Sequence, residues 1–327
     1  MVHESKVTQR TRRWVVPLAA AASVALIGAI AWGASTLGGQ PVGQQAPVAP
    51  AASSTSSSSP SASSSAATRA PSQVALPAYF VGANYGEHLV GAATPNEFGL
   101  YREFVKSDVP ADATPAQKAK AAVAVAMNAK PLASIEPYVQ PWLGQSVKDV
   151  TMTPSLITIT LSGSSAPGYT SEQTRLAVQE LVWTAQAAVG QGTIPVKFAV
   201  ADGSTTLFGR YPTAQTYNRP AKDLQYEDLA PIWITAPERG HVFKTGTSVE
   251  VTGESCAFEA TTQWELFTGG TTVNAGTTTA TSGCPTRGTW KVDLGVLKPG
   301  DYSFRMFEAS MKDGKVIAET SKPFTVT

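Results

Sequence analysis

The chain of 327 residues has few of the residue types that metal sites and many enzymes need. It contains two cysteines and three histidines, and these do not cluster with carboxylates at the close spacing that metal ligands require. Neither a Gly-x-Ser-x-Gly nucleophile motif nor a glycine-rich phosphate loop occurs. We therefore predict no metal, no cofactor and no catalytic residues.

A large excess of charge of either sign is also missing, since 25 basic residues face 24 acidic ones. The tail 1–13 carries four basic residues and Glu4, a net +3, which leaves 1 − 3 = −2 for the rest of the chain. A nearly neutral remainder lacks the positive patch that nucleic acids or anionic lipid headgroups would attract. We expect no nucleic-acid partner.

Residues 14–36 form a long uncharged segment that is rich in Ala, Val and Ile. Its first 21 residues, as a helix rising 1.5 Å each, would span roughly 31 Å, about the thickness of a bilayer core. The basic residues of the tail all precede this segment: Lys6, Arg10, Arg12 and Arg13. The positive-inside rule then predicts a single transmembrane signal-anchor with the N-terminus in the cytoplasm and the C-terminal domains outside. The localisation predicted is the plasma membrane.

A cleaved signal peptide is the alternative interpretation of the same segment. The small residues at 29–31 and 33–35 could act as cleavage sites, although a signal peptide usually has a shorter apolar core. Both interpretations export the rest of the chain.

Residues 37–76 consist almost entirely of Gly, Gln, Pro, Ala, Val, Ser and Thr. Such a composition offers too little apolar surface to offset the entropy of ordering the backbone. We predict a disordered stalk there, which would lift the following domains away from the membrane.

Residues 77–212 mix helix and strand signals, beginning with a short apolar strand at 79–81. Thr114 and Gln117 form one capping box before an alanine-rich helix, and Thr170 and Gln173 form another before a helix that ends near Gly190. Residues 157–162 alternate apolar and hydroxyl side chains, which indicates a half-buried strand. Asp202-Gly203 between two apolar runs predicts a β-hairpin. The pattern predicts a small α/β sandwich, with helices on one face of a mostly antiparallel sheet.

Residues 213–231 are polar and contain spaced prolines, so we interpret them as an interdomain linker. From 232 to 327 the helical period disappears, and seven strand-like runs follow at 232–235, 248–252, 260–267, 271–279, 288–294, 302–308 and 316–327. This spacing predicts an antiparallel β-sandwich of the immunoglobulin type, with Trp264 in its core. Residues 297–302 are typical of the turn that leads into a tyrosine corner. The fold class predicted for the whole chain is α+β.

Cys256 and Cys284 both lie in the predicted sandwich. In an oxidising compartment an even pair indicates a disulfide, which would stabilise the fold by roughly 3.5 kcal/mol on the chain-entropy estimate. Because Cys284 precedes Trp290, the bond would tie a strand end to a loop instead of bridging the sheets. Two unpaired buried thiols are the alternative.

Two resemblances cover residues 77–327. Residues 100–103, 174–184 and 194–196 resemble the GerMN domain, named for sporulation and spore germination. Residues 232–234, 249–253, 258–260, 288–290 and 307–310, with Pro237, Gly240 and Asp313-Gly314, resemble the immunoglobulin-like domain of bacterial spore germination. The resemblance implies a role in envelope or spore-coat assembly, with no established catalytic residues.

Three features of the sequence suggest catalysis or sugar binding, but each also has a purely structural interpretation. Residues 282–287 resemble part of an L,D-transpeptidase site, but the adjacent histidine is missing and Cys284 has a partner available. A glycosidase pair could come from the carboxylates Glu254, Glu259, Glu265 and Glu308, although solvated strand-edge residues are the simpler interpretation.

A platform for a sugar ring could form from Trp233, Trp264 and Trp290. Their strand patterns favour core packing instead, and the helical pattern favours core packing for Trp183. Glu172 and Arg175 are interpreted as a solvated helix face.

The leading functional hypothesis is a non-catalytic, membrane-anchored envelope module that binds another protein or a cell-wall polymer in assembly. A peptidoglycan- or glycan-binding module is the alternative, and a cell-wall hydrolase is the weakest hypothesis.

Overall fold

The computed structural model describes residues 73–84, 98–128, 138–164, 168–190 and 192–327. The predicted anchor, 14–36, and residues 37–72 of the predicted stalk lie outside the described residues. None of the described helices is long and apolar enough to cross a bilayer.

Residues 73–217 are called the α/β region below, and the described part of this region contains two α-helices and eight strands. The helices are α1 (Pro115–Asn128) and α2 (Ser171–Ala188). The strands are β1 (Gln73–Ala83), β2 (Phe98–Pro110), β3 (Val147–Thr153), β4 (Leu156–Leu161), β5 (Val196–Val200), β6 (Thr206–Leu207), β7 (Tyr211–Pro212) and β8 (Thr216–Tyr217). β1 begins inside the segment that the sequence analysis assigns to the stalk.

Both helices start at the predicted capping boxes. The backbone N–H of Gln117 donates to Thr114 at 3.3 Å, and that of Gln173 donates to Thr170 at 3.2 Å. In each box the glutamine side chain accepts from the backbone N–H of the threonine, at 2.8 and 2.9 Å. α2 ends next to Gly190, whose φ of 72° suits glycine. The two predicted helices and their N-termini are confirmed.

The main sheet of the α/β region has the order β3-β4-β5-β8. β4 and β5 are parallel, because the chain crosses between them through α2, and the outer pairs are antiparallel. Its core joins the buried face of β4 to both helices and to Ala78 and Phe80 of β1.

The predicted hairpin at Asp202-Gly203 is wrong. A turn is present, with the Gly203 N–H donating to the Val200 carbonyl at 3.1 Å, but β5 and β6 do not pair. β5 instead pairs with β4 and β8, and β6 pairs with β7. β5 pairs with β4 along one edge and, at Val196 and Lys197, with β8 along the other.

β1 and β2 form a long antiparallel ribbon, which the sequence predicts only as a short strand around residues 79–81. The free edge of β1 lies along α2. There the backbone N–H of Tyr79 donates to the Thr184 hydroxyl at 3.0 Å, and that of Val81 donates to the Glu180 carboxyl at 3.1 Å. Helix side chains therefore supply hydrogen bonds that a neighbouring strand would otherwise provide.

Residues 232–326, called the β-sandwich below, contain all seven predicted strands. They are β9 (Ile232–Ala236), β11 (Ser248–Ser255), β12 (Thr261–Thr268), β13 (Thr271–Thr279), β14 (Gly288–Val296), β15 (Gly300–Ala309) and β16 (Val316–Val326). A short β10 (Val242–Phe243), which was not predicted, pairs in parallel with β16. The two sheets have the orders β14-β11-β9 and β10-β16-β15-β12-β13.

The core of the β-sandwich centres on Phe304, which is fully buried. Trp264 and Trp290 stack on it with ring centroids 5.7 and 6.3 Å away. The predicted tyrosine corner is present, since the Tyr302 hydroxyl donates to the Lys298 carbonyl at 3.0 Å. Gly253 is required for packing, because a Cβ there would lie 1.9 Å from the Trp233 carbonyl oxygen.

The segment interpreted as a linker, 213–231, carries regular structure, although many of its residues are exposed. It contributes β8 to the main sheet and a 3-10 helix at Lys222–Glu227. Beyond that helix, the Leu100 N–H of β2 donates to the Asp228 carbonyl at 2.7 Å, and the Ala230 N–H donates to the Leu100 carbonyl at 3.0 Å. The chain between the two predicted domains is therefore held against β2.

Candidate functional site

The most distinctive chemistry lies at the junction, which we define as the contact surface between the α/β region and the β-sandwich. β2 runs along it, and its consecutive residues Arg102 and Glu103 contact the β-sandwich in two different charge clusters. The indole N–H of Trp233 also donates to the Leu100 carbonyl at 2.8 Å. The apolar part of the junction includes Tyr79 and Trp183.

The inner cluster surrounds the carboxylate of Glu103. The Lys322 ammonium lies 3.0 Å from it and the Arg239 guanidinium 3.6 Å, and the Tyr138 hydroxyl donates to its other oxygen. Glu103 and Lys322 are 1% and 2% exposed. Burial by itself raises the pKa of Glu103, but the two cations and the hydroxyl outweigh it, so the pKa is lowered. The inner cluster is an ionised, buried attachment between the two regions.

The outer cluster contains Arg102, Arg219 and Arg287, held against aromatic faces. Arg102 pairs with Glu254 and lies 4.9 Å from the Trp233 ring centroid. Arg287 lies 3.8 Å from the same centroid. Stacking of this kind suits the planar, weakly hydrated guanidinium.

Arg219 occupies the Trp183 side of the outer cluster. Its guanidinium lies 4.2 Å from the Trp183 ring centroid and 5.9 Å from that of Tyr79. The Tyr79 ring packs between the two tryptophans, with centroids 5.3 Å from Trp183 and 5.9 Å from Trp233. The aromatic rings thus connect arginines that are far apart in the sequence.

Next to the outer cluster, an open groove of about 490 Å³ lies on the β-sandwich. Glu254, Lys291, Gly253 and Trp290 contribute to its lining. The other lining residues are threonines: Thr235, Thr252, Thr278, Thr279, Thr281 and Thr289. Because Glu254 belongs to both the groove and the outer cluster, the two are continuous.

A second buried carboxyl, that of Glu180, lies inside the α/β region, where it is 1% exposed. One oxygen accepts the Val81 N–H. Burial raises the pKa of Glu180 well above its ordinary value, although the hydrogen bonds from Val81 and from the Trp142 side chain oppose the shift. Burial therefore favours the neutral form of this carboxyl.

The tryptophans do not form an accessible platform. Trp233, Trp264 and Trp290 are 2%, 9% and 3% exposed, and Trp183 is 3% exposed. The core-packing interpretation is confirmed for all four, because none presents a ring face that could stack on a sugar.

Two of the candidate glycosidase carboxylates lie in different sheets. Glu254 lies on β11 and pairs with Arg102, whereas Glu265 lies on β12 in the other sheet and contacts Arg305 at 2.8 Å. Glu308 accepts the Phe258 N–H at 2.9 Å, and burial raises its pKa. Glu259 is exposed and lies between β11 and β12 at positive φ. Glu254 and Glu265 are therefore each engaged by an arginine and do not form a pair with each other.

Cys256 and Cys284 form a disulfide with Cα atoms 4.6 Å apart. The bond joins the end of β11 to the turn before β14, so the thiol required by a transpeptidase mechanism is not free. Of the histidines, His3 and His88 lie outside the described residues. The described part of the chain contains no group of three or more His, Cys, Asp or Glu placed to hold a metal.

Arg175 differs from its interpretation as part of a solvated face. It pairs with Asp228, whose carboxylate is fully buried and also accepts the Trp183 indole N–H at 3.2 Å. Sequence reasoning did not bring the outer-cluster arginines Arg102, Arg219 and Arg287 together. Arg102 and Arg287 lie in segments noted only for family resemblances, 100–103 and 282–287, and Arg219 lies in the predicted linker. No local pattern connects the three, because they come from β2, the segment after β8 and the turn before β14.

Comparison with solved structures gives three weak similarities. The fibronectin(III)-like modules of Clostridium thermocellum CbhA are 18% identical, covering 29% of this chain and 93% of that chain, with a TM-score of 0.22. The CARDB domain of a Pyrococcus furiosus protein in complex with di-metal ions is 10% identical over 27% and 84%, with a TM-score of 0.20. A protein described as a lipoprotein from Clostridium perfringens is 13% identical over 45% and 88%, with a TM-score of 0.25. At these scores none of the three carries an argument about this chain.

No curated protein matches the chain. The resemblance of the α/β region to the GerMN domain stays a prediction. The β-sandwich is a different case, since residues 231–315 match the immunoglobulin-like domain of bacterial spore germination.

Proposed function

We propose that the chain is a non-catalytic, membrane-anchored binding module of the bacterial envelope, with its two folded regions outside the plasma membrane. The observation that carries this proposal is the junction. Its buried charge pairs and packed aromatic rings hold the α/β region and the β-sandwich as one surface. A partner can then contact both regions at once without a large ordering cost.

Two further observations support a binding role over a catalytic one. The match of residues 231–315 is to a domain of the immunoglobulin type, an architecture that many cell-surface domains share. Glu254 and Glu265 lie in different sheets and are each paired with an arginine, and the candidate nucleophile Cys284 is in a disulfide.

A glycan-binding module is the second candidate, and the threonine-lined groove favours it. Six hydroxyl-bearing side chains along an open cavity of about 490 Å³ could hydrogen-bond to sugar hydroxyls. The groove has no exposed aromatic face for a sugar ring to stack on, because Trp290 is buried there. We therefore rank a protein partner first.

In-cell cross-linking of the full chain, followed by partner identification, tests the proposal. We expect an envelope protein that cross-links through positions around the junction. Recovery of wall fragments alone would favour the glycan candidate, and release of soluble fragments from purified wall would overturn the non-catalytic assignment. Extracellular protease should remove the folded regions from intact cells, whereas full protection would contradict the proposed orientation.

A further inference from the structure

The outer cluster contains more positive charge than its own carboxylates balance. Arg102, Arg219 and Arg287 are the cations, and Glu254 is the carboxylate paired within the cluster, which leaves 3 − 1 = 2 positive charges in excess. Asp228 is nearby, but Arg175 already pairs with it.

The three arginines differ in how many of their N–H groups already donate hydrogen bonds. Arg287 donates to the backbone carbonyls of Ala230, Pro231 and Glu254, so it is committed to holding the chain at the junction. Arg219 donates to the Trp183 carbonyl at 2.8 Å. No described carboxylate lies within ion-pair distance of Arg219.

Unused donors remain on Arg102 and Arg219. The Nε–H of each is buried and has no acceptor among the described residues. Buried donors without acceptors are costly, and a bound acceptor would remove that cost. These two arginines, which interact electrostatically with each other and with Tyr79, are the candidates for contacting a ligand.

The electrostatics agree with this geometry. Burial lowers the pKa of Arg219, and the nearby charge of Arg102 lowers it further, although Tyr79 opposes this effect. Burial likewise lowers the pKa of Arg287 to about 10. A bound anion would relieve the repulsion among these cations.

We propose that Arg102 and Arg219, with the nearby Tyr79 hydroxyl, form a binding site for a phosphate group. The guanidinium fork matches phosphate oxygens bidentately. A phosphate monoester carries a charge of about −1.5 to −2 at pH 7, which balances the excess of two better than a single carboxylate does. Arg287 acts as a positioning residue, since both of its terminal nitrogens already donate to backbone carbonyls.

This inference rests on the proposed function in one respect, because it takes the outer side of the junction as a ligand-binding surface. It names the chemistry of the ligand and leaves the partner's identity to the cross-linking experiment.

The test is a titration of the purified full chain, in detergent and a chloride buffer, with inorganic phosphate, glycerol phosphate and acetate. Trp183 and Trp233 flank the site, so tryptophan fluorescence reports binding, and calorimetry provides an independent measurement. We expect saturable binding of both phosphates and at least tenfold weaker binding of acetate. R219Q should weaken phosphate binding at least tenfold, and R219K should weaken it less, because it keeps the charge but loses the fork.

R210Q is the matched control, since Arg210 is an exposed arginine of the same region that lies outside the cluster. It should bind phosphate as the unaltered chain does. R102Q is a second variant, and thermal unfolding of each protein establishes that it is folded. The proposal is overturned if phosphate fails to saturate, if folded R219Q binds as tightly as R210Q, or if acetate binds as well as phosphate.

The titration tests the phosphate site and the cross-linking tests the proposed function, and either result can be negative without the other. A specific envelope cross-link with no saturable phosphate binding would overturn the phosphate site alone. Phosphate binding in a protein that cross-links to no envelope component would support the site and count against the proposed function.

Discussion

Glu103 and Glu180 are two glutamates with the same exposure, 1%, and pKa shifts in opposite directions. Glu103 lies at the junction between Lys322 and Arg239, and its pKa is lowered. Glu180 lies inside the α/β region with a backbone N–H as its hydrogen-bond donor, and its pKa is raised well above the ordinary value. Burial opposes ionisation at both positions, so the nearby cations account for the difference.

The buried carboxyl has a different structural role in each region. At the junction the ionised group holds two cations that come from the β-sandwich, so it ties separate parts of the chain together. In the α/β region the neutral group covers the free edge of β1. The two glutamates therefore give different responses to mutation and to pH.

The largest expected effect is that of E103Q. Removing this charge leaves Lys322 and Arg239 buried without their carboxylate, which should lower the free energy of unfolding by about 3–5 kcal/mol. Urea denaturation, followed by circular dichroism, measures the change. A loss below about 1 kcal/mol would mean that the inner cluster does not hold the junction.

The double variant E103Q/K322M should recover part of that loss. Replacing both members removes the uncompensated ammonium as well as the carboxylate, so we expect a coupling energy of about 1–3 kcal/mol between the two positions. A double-mutant cycle on the same unfolding measurement gives this value. Strict additivity of the two single changes would contradict direct pairing.

E180Q should have the opposite sign to E103Q. Glutamine keeps the oxygen that accepts the Val81 N–H and removes a carboxyl that is costly to ionise, so we expect a gain of about 1 kcal/mol near neutral pH. Chemical denaturation at pH 7 tests the sign. A marked loss of stability would indicate that the ionised form has a partner in the fold.

The two glutamates should also respond to pH in opposite directions. For Glu103, the lowered pKa gives stability that is present above the ordinary value of 4.5 and is lost as the pH falls from there through the folded-state pKa. For Glu180, the raised pKa gives stability that is greatest below 4.5 and is lost as the pH rises from there to the folded-state pKa.

Unfolding free energies measured from pH 3 to pH 8 separate these two contributions. E103Q should flatten the acid side of the profile, and E180Q should flatten the decline above pH 4.5. If the pH profiles of both variants keep the shape measured for the unaltered chain, neither carboxyl contributes to the pH dependence of stability in the way that its surroundings indicate.

The smallest effect is expected for E238Q, which serves as the control for E103Q. Glu238 pairs with Lys106 at 3.2 Å, but the lysine side chain is 51% exposed. Exposed pairs contribute about 0–1 kcal/mol, so the same chemical change should cost far less outside the inner cluster. If E238Q lowers the free energy of unfolding as much as E103Q does, burial does not explain the effect of E103Q.

Much of the local structure could be predicted from residue patterns. The capping boxes at Thr114 and Thr170 specify helix starts, because their partners lie three residues away in the sequence. The strands of the β-sandwich follow from short apolar runs between turns, and residues 297–302 specify the tyrosine corner. In each case the interacting groups are close along the chain.

The features that were missed depend on distant contacts. The buried charge of Glu103 interrupts the apolar pattern of β2, so this 13-residue strand was not predicted. The Asp202-Gly203 turn was recognised, but the pairing of its flanking strands depends on what already occupies the edges of β5. Arg175 was interpreted as solvated because its partner, Asp228, lies 53 positions further along the chain.

Neighbouring residues are sufficient to specify the helix caps, the turns, the seven strands of the β-sandwich and the absence of a recognisable catalytic motif. The folded arrangement is needed to know that Arg102, Arg219 and Arg287 meet around one aromatic cluster and that the pKa values of two equally buried glutamates shift in opposite directions. Charge state and ligand contact depend on groups that are near in space, and folding alone brings those groups together.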